Sequence, residues 1–180
     1  MKRFAFYFLG LFLSLGLLSS CKEVDKFTQF NLDYNTTVTI PSTFGVQVPF
    51  DVSTPDINTS STSTFESNDT RKDLIEEIQL TEMTLTINSP SGADFSFLES
   101  IEVFISADSL DEVRIAYQDS VDVAAGESLS LTTTGVDLQE YIKADEFSLR
   151  VNAVTDEAIS QDHELNIYTK FFVDAEIFGI

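Results

Sequence analysis

The residues able to do chemistry in this 180-residue chain are few: one cysteine, Cys21, and one histidine, His163, against thirty acidic residues. Zinc centres are built chiefly from His and Cys donors, three or four at a time, and one of each cannot supply them. A Ser–His–Asp arrangement would have to run through His163, which lies between Asp162 and Glu164 at the start of an apolar alternation. No Gly-x-Ser-x-Gly elbow is there to present the serine. His163 therefore reads as a surface histidine at the edge of a strand. The seven glycines are scattered and form no phosphate cradle ahead of a helix. Carboxylate pairs arise by chance among thirty acids, and glycoside hydrolysis needs two of them held across a cleft, which spacing alone does not provide. No catalytic residue is assigned, and the chain reads as a non-enzyme.

Oxygen donors are plentiful. Asp108, Asp111 and Glu112 form a short acidic connection, and a second one, Asp119 to Asp122, is expected to fold near it if the intervening strands pair. Oxygen-only ligand sets at strand ends suit calcium, but the spacing is not that of an EF-hand loop. They read as solvated turns, and no metal site is assigned. The aromatic set is sixteen Phe and five Tyr with no Trp. Most Phe residues share the parity of the apolar positions. Phe104, Tyr168 and Phe172 fall on the other parity and are the candidates for a partner-facing surface.

Cys21 has a different context. A basic start at Lys2 and Arg3, an apolar run from Phe4 to Leu18 and small residues behind it are the three parts of an export signal. The run is shorter than the ~20 apolar residues of a spanning helix. Leu18-Ser19-Ser20-Cys21 resembles the lipobox of bacterial lipoproteins position by position. The resemblance implies cleavage between Ser20 and Cys21 and diacylglyceryl transfer to the Cys21 sulfur. That covalent lipid is the only prosthetic group expected, with no other cofactor. Two or three acyl chains hold a protein on a bilayer durably, where one gives marginal binding.

The residues after the cysteine, Lys22, Glu23 and Asp25, resemble the sorting tag of Bacteroidota-type surface lipoproteins, with Val24 interrupting the acidic run. Lys22 is also not the aspartate that retains lipoproteins in the inner membrane of well-studied diderm bacteria. The resemblance implies an outer-membrane anchor with the domain facing the cell exterior. A periplasm-facing subunit of an outer-membrane complex is the competing placement. Asp108-Ser109-Leu110 and Asp119-Ser120-Val121 resemble the O-glycosylation sequon of the same bacteria, at a frequency composition alone would produce.

The elements that must position these residues are strands. Residues 1–20 read as the cleaved signal, 21–27 as a lipidated tether and 28–180 as one domain. A formal charge of −20 repels phosphate backbones and anionic headgroups, which argues against nucleic-acid partners and basic-patch membrane binding. Period-two alternation dominates, as expected of strands with one buried face. Phe30 to Ile40 and Phe44 to Val52 form the first two strands, with Pro49 marking the second as a sheet edge. Asp56 to Thr64 reads as a loop, and Asp69-Thr70 as the start of a short helix ending near Glu77. Ile78 and Leu80 alternate in one parity and Met83, Leu85 and Ile87 in the other, which predicts a bulge near Thr81-Glu82.

Further strands follow at Ile101 to Ile105, Val113 to Tyr117, Leu129 to Leu131, Phe147 to Ala153 and Leu165 to Val173. Asp137 is expected to cap a second short helix, and Asp156 to Asp162 to close a hairpin. About eight strands with two short helical crossovers predict an all-β, two-sheet antiparallel sandwich, immunoglobulin-like or jelly-roll-like. The immunoglobulin cysteine pair and tryptophan are absent, so that term describes architecture only. The functional expectation is a surface-exposed, non-enzymatic binding or accessory module of the envelope. Its partners are the membrane through the lipid and an outer-membrane protein, with a glycan- or calcium-binding module as the alternative and no small-molecule substrate identified.

Overall fold

Alternation along the chain becomes two sheets that share one core. The computed structural model describes residues 29–42 and 49–176. The lipobox Leu18-Ser19-Ser20-Cys21, the tag Lys22, Glu23 and Asp25, and most of the predicted second strand lie outside them. In β1 (Gln29–Ile40), Leu32, Val38 and Ile40 are buried, while every second residue from Gln29 to Thr39 is exposed. The remaining strands are β2 (Pro49–Ser53), β3 (Ile57–Asn58), β4 (Ile75–Ser89), β5 (Leu98–Ala107), β6 (Val113–Gln118), β7 (Ser128–Ser130), β8 (Thr132–Thr133), β9 (Glu146–Thr155) and β10 (His163–Ala175). Sheet I has the order β1-β10-β4-β7. Sheet II has the order β2-β9-β5-β6-β8, with β3 also on β9.

Four of the pairings are nested. β1 pairs with β10, β2 with β9, β4 with β7 and β5 with β6, all antiparallel. This is the pattern of one long hairpin rolled up. The pairings β10 to β4 and β9 to β5 then close each sheet. The result is a jelly-roll sandwich. Its centre is dry: Ile40, Leu85, Val103, Ile105, Leu165, Ile167 and Phe171 are among many side chains without measurable exposure. Burying side chains of this size contributes about 1.5–3 kcal/mol each, before the entropy of ordering them is subtracted.

Several expectations hold. The register of β4 against β10 steps from Glu82 opposite Lys170 to Leu80 opposite Phe171, so Thr81 is the extra residue. The bulge lets Ile78, Leu80, Met83 and Leu85 all face the core. β2 is an edge strand, with exposed Pro49 at its first position.

Others are corrected. The first helix is α1 (Ser61–Ser67), which begins within the stretch expected to be a loop and ends before the expected helix start at Asp69. Its one large apolar residue, Phe65, is fully buried and meets Phe30 edge-on with ring centroids 6.2 Å apart. A single anchor leaves no periodicity to read. Asp69 takes φ 56 just beyond the helix instead of starting one, and Lys72–Leu74 is a single 3-10 turn before β4. The second helix, α2 (Gln139–Lys143), lies where expected. The Asp137 carboxylate accepts hydrogen bonds from the backbone N–H of Ile78 and of Gln139, each at 3.1 Å. The connection 156–162 joins sheet II to sheet I, so it is a crossing between layers and not a hairpin.

Strand directions define two ends. Gln29 lies opposite Asp174, so β1 begins where β10 finishes. Thr70 Oγ1 donates to the Glu176 carbonyl at 2.7 Å, which brings the segment after α1 to the same end. At the other end β1 finishes, β10 begins, and the connections 90–97, 119–127 and 156–162 gather. The N–H of Phe95 donates to Gly126 and that of Asp156 to Phe97. Twelve residues of β1 set the two ends roughly 40 Å apart.

Candidate binding cleft at the distal end

The end remote from Gln29 carries a recess of about 340 Å³ between the β4–β5 and β9–β10 connections. One wall is built from Pro90, Ser91, Asp94 and Ser96, the other from Glu157, Ser160 and Gln161. The first wall is shaped by a turn in which Gly92 takes φ 78, a left-handed conformation that only glycine enters without strain. Asp94 then accepts from the Ser96 N–H at 3.0 Å and starts the 3-10 turn Phe95–Phe97. The Ser96 hydroxyl, together with this N–H, holds its carboxyl below the ordinary aspartate range. The turn buries Phe95 completely and Phe97 almost so, which fixes the wall on the core. The second wall is fixed in the same way by Ile159, buried in the middle of its connection.

His163 forms part of the floor. It is 7% exposed, which corrects the surface position expected from sequence. It opens β10 at inward parity, and its ring sits 4.8 Å from that of Phe97. Nδ1 lies 3.0 Å from the carbonyl of Gln161. A carbonyl can only accept, so Nδ1 is the donor, and the tautomer this selects leaves Nε2 as the acceptor. Serines and carboxylates line the cleft beside it.

The three outward aromatics do not form one surface. Phe104 is on the outer face of sheet II, whereas Tyr168 and Phe172 are on the outer face of sheet I. Parity identifies outward positions but not which of two layers owns them. Phe104 is also covered. The Arg150 guanidinium lies 4.3 Å from its ring centroid, binds Glu112 through Nε at 2.8 Å and Nη2 at 2.6 Å, and pairs with Asp51 through Nη1. Asn152 donates to Asp51 at 3.0 Å. The hydrogen bonds from Asn152 and Arg150 hold Asp51 low, and Arg150 does the same for Glu112. Nearby, Arg114 pairs with Glu102 at 2.5 Å and lies over Tyr117 at 4.7 Å. Tyr168 donates to Asp33 at 2.9 Å, and that bond pushes its hydroxyl pKa up. Phe104, Tyr168 and Phe172 are each half-buried, and among the described residues the exposed large hydrophobic side chain is Val123.

The two acidic connections do not meet either. Asp108, Asp111 and Glu112 precede β6 and Asp119 to Asp122 follow it, so the hairpin places them at opposite ends, roughly 20 Å apart. Glu112 is committed to Arg150. No group of three or more His, Cys, Asp or Glu able to hold a metal occurs among the described residues. The cleft residues went unassigned at the sequence level. The stretch 156–162 is legible as a connection, but its meeting with 90–97 depends on the inter-sheet crossing.

No family model matches the chain, and no curated protein matches its sequence. Similar solved structures include the decameric BFDV capsid protein, at 9% identity and TM-score 0.39, covering 82% of this chain and 98% of that one. The Clostridium perfringens protein CpGH89CBM32-5, in complex with GalNAc-β-1,3-galactose, aligns at 14% identity and TM-score 0.33 over 74% of this chain and 94% of its own. A structure described for carbohydrate-binding modules of the β-sandwich superfamily aligns at 14% identity and TM-score 0.29, over 82% and 55%.

Proposed function

We propose that this chain is a lipid-anchored, non-enzymatic binding module of the bacterial outer membrane, held through Cys21 and facing the cell exterior. The observation that carries the reading is polarity along the sandwich. The tether would enter at Gln29, at the end closed by α1 and α2, so the distal cleft is presented roughly 40 Å away from the anchoring end. A recess within the usual 300–1,000 Å³ range for ligand pockets, built on connections rather than on strands, is where a rigid scaffold places recognition. The described residues supply polar and carboxylate groups there but no nucleophile–base pair.

Three measurements test it. Feeding cells an alkyne palmitate labels the wild-type chain and not Cys21→Ala. Protease added to intact cells removes the domain, whereas protection of the domain against a periplasmic control puts it on the inner side. A photo-crosslinker at Ser160 forms an adduct on intact cells, and one at Asn166, on the outer face of sheet I, forms none. Equal labelling at both positions defeats the cleft as the recognition site.

A further inference from the structure

The chemistry of the cleft floor restricts what can occupy it. His163 is more than nine-tenths buried, yet Nε2 has no protein partner among the described residues. The buried side-chain polar atom left without a partner among them is Thr155 Oγ1, so Nε2 is not sealed in the core. His163 lines the cleft, and the cleft is its route to solvent. The Gln161 carbonyl fixes the tautomer and the Phe97 ring fixes the plane. The floor is thus a preorganised acceptor awaiting an O–H or N–H donor.

The walls narrow the choice. No Lys or Arg lines the recess, and the chain's net charge of −20 disfavours anions. Ser91, Ser96 and Ser160 both donate and accept, which suits a ligand whose groups do the same. Pro90 and Ile159 supply apolar carbon beside them. We infer that the distal cleft takes a neutral, hydroxyl-rich ligand of the saccharide class, with one ligand hydroxyl donating to Nε2 of His163. This rests on the proposal that the cleft is the recognition site.

The lipidated chain in detergent, applied to an array of neutral, acidic and amino-sugar oligosaccharides, tests it. Retention is expected on neutral members and falls at least tenfold in two variants. His163→Phe keeps a ring against Phe97 and removes the acceptor. Ser160→Trp fills the recess from an exposed position and keeps the fold intact should the first variant fail to fold. Absence of neutral-glycan retention by wild type overturns the inference, as does retention unchanged in Ser160→Trp, unchanged in a folded His163→Phe, or confined to amino sugars. An adduct from the Ser160 crosslinker without any glycan retention leaves the cleft as a recognition site and defeats the saccharide assignment alone.

Discussion

The two ends of the sandwich are built from the same strands and finished in opposite ways. At the end where β1 begins, α1, α2 and the residue before α2 lay Phe65, Ile142 and Leu138 into the core with no measurable exposure, and backbone groups that would be orphaned are individually bonded. Thr59 Oγ1 donates to the Ala144 carbonyl at 2.6 Å, and Asp137 serves two N–H groups. At the distal end the connections reach the core through Phe95, Phe97 and Ile159, while their serines and carboxylates face the recess. One end is closed by packing. The other is left polar and concave, which is the usual division between a stable scaffold and the segments that contact ligands.

The sharpest way to break the contrast is to unpack the closed end. Phe65→Ala removes the one apolar anchor of α1 and should cost about 3–5 kcal/mol, read as a lower urea midpoint. A cost near zero would mean the helix only decorates the end. Asp137→Ala should cost about 1–2 kcal/mol, and its pH dependence has a definite sign. Burial works to raise this carboxyl, but hydrogen bonds from Ile78 and Gln139, with the charge of Lys143, outweigh it and hold it low. A depressed folded value gives stability that is complete above the unfolded pKa of about 3.9 and is lost as pH falls through the folded value. The gap between wild type and Asp137→Ala should therefore close below about pH 4.

On the flank of sheet II, Arg150→Met should cost roughly 1 kcal/mol, and less at high salt, because the pairs are partly solvated. A salt-independent loss would assign the effect to packing on Phe104. At the distal end, Thr155→Val replaces an unpartnered buried hydroxyl by a methyl and should leave stability unchanged or raise it by up to about 1 kcal/mol. A clear loss in calorimetry would show that Thr155 has a partner after all.

The contrast between the ends was only partly legible in the sequence. Alternation located the long strands, and the parity change between Leu80 and Met83 located the Thr81 bulge, because a bulge is the local remedy for a broken pleat. Pro49 marked an edge for an equally local reason. What failed was everything that depends on partners distant along the chain. α1 is a serine- and threonine-rich segment made helical by one buried ring. His163 is indistinguishable from a surface residue until Phe97 is placed beside it. Phe104 and Phe172 share a parity rule but not a layer, since nested pairing sends alternate pairs to opposite sheets. The cleft lay furthest from view, being made of two connections that meet only when β9 and β10 part company.

The nesting also sets the order in which the molecule can be completed. β10 is the final strand in the described chain, and it is the strand that joins β1 to β4. β9, just before it, joins β2 to β5. Until both have been delivered, each sheet consists of separated pieces with bare edges, and contacts of such long sequence separation form slowly. The fold thus carries its own delay, because neither sheet closes until nearly the whole described domain is available to pair.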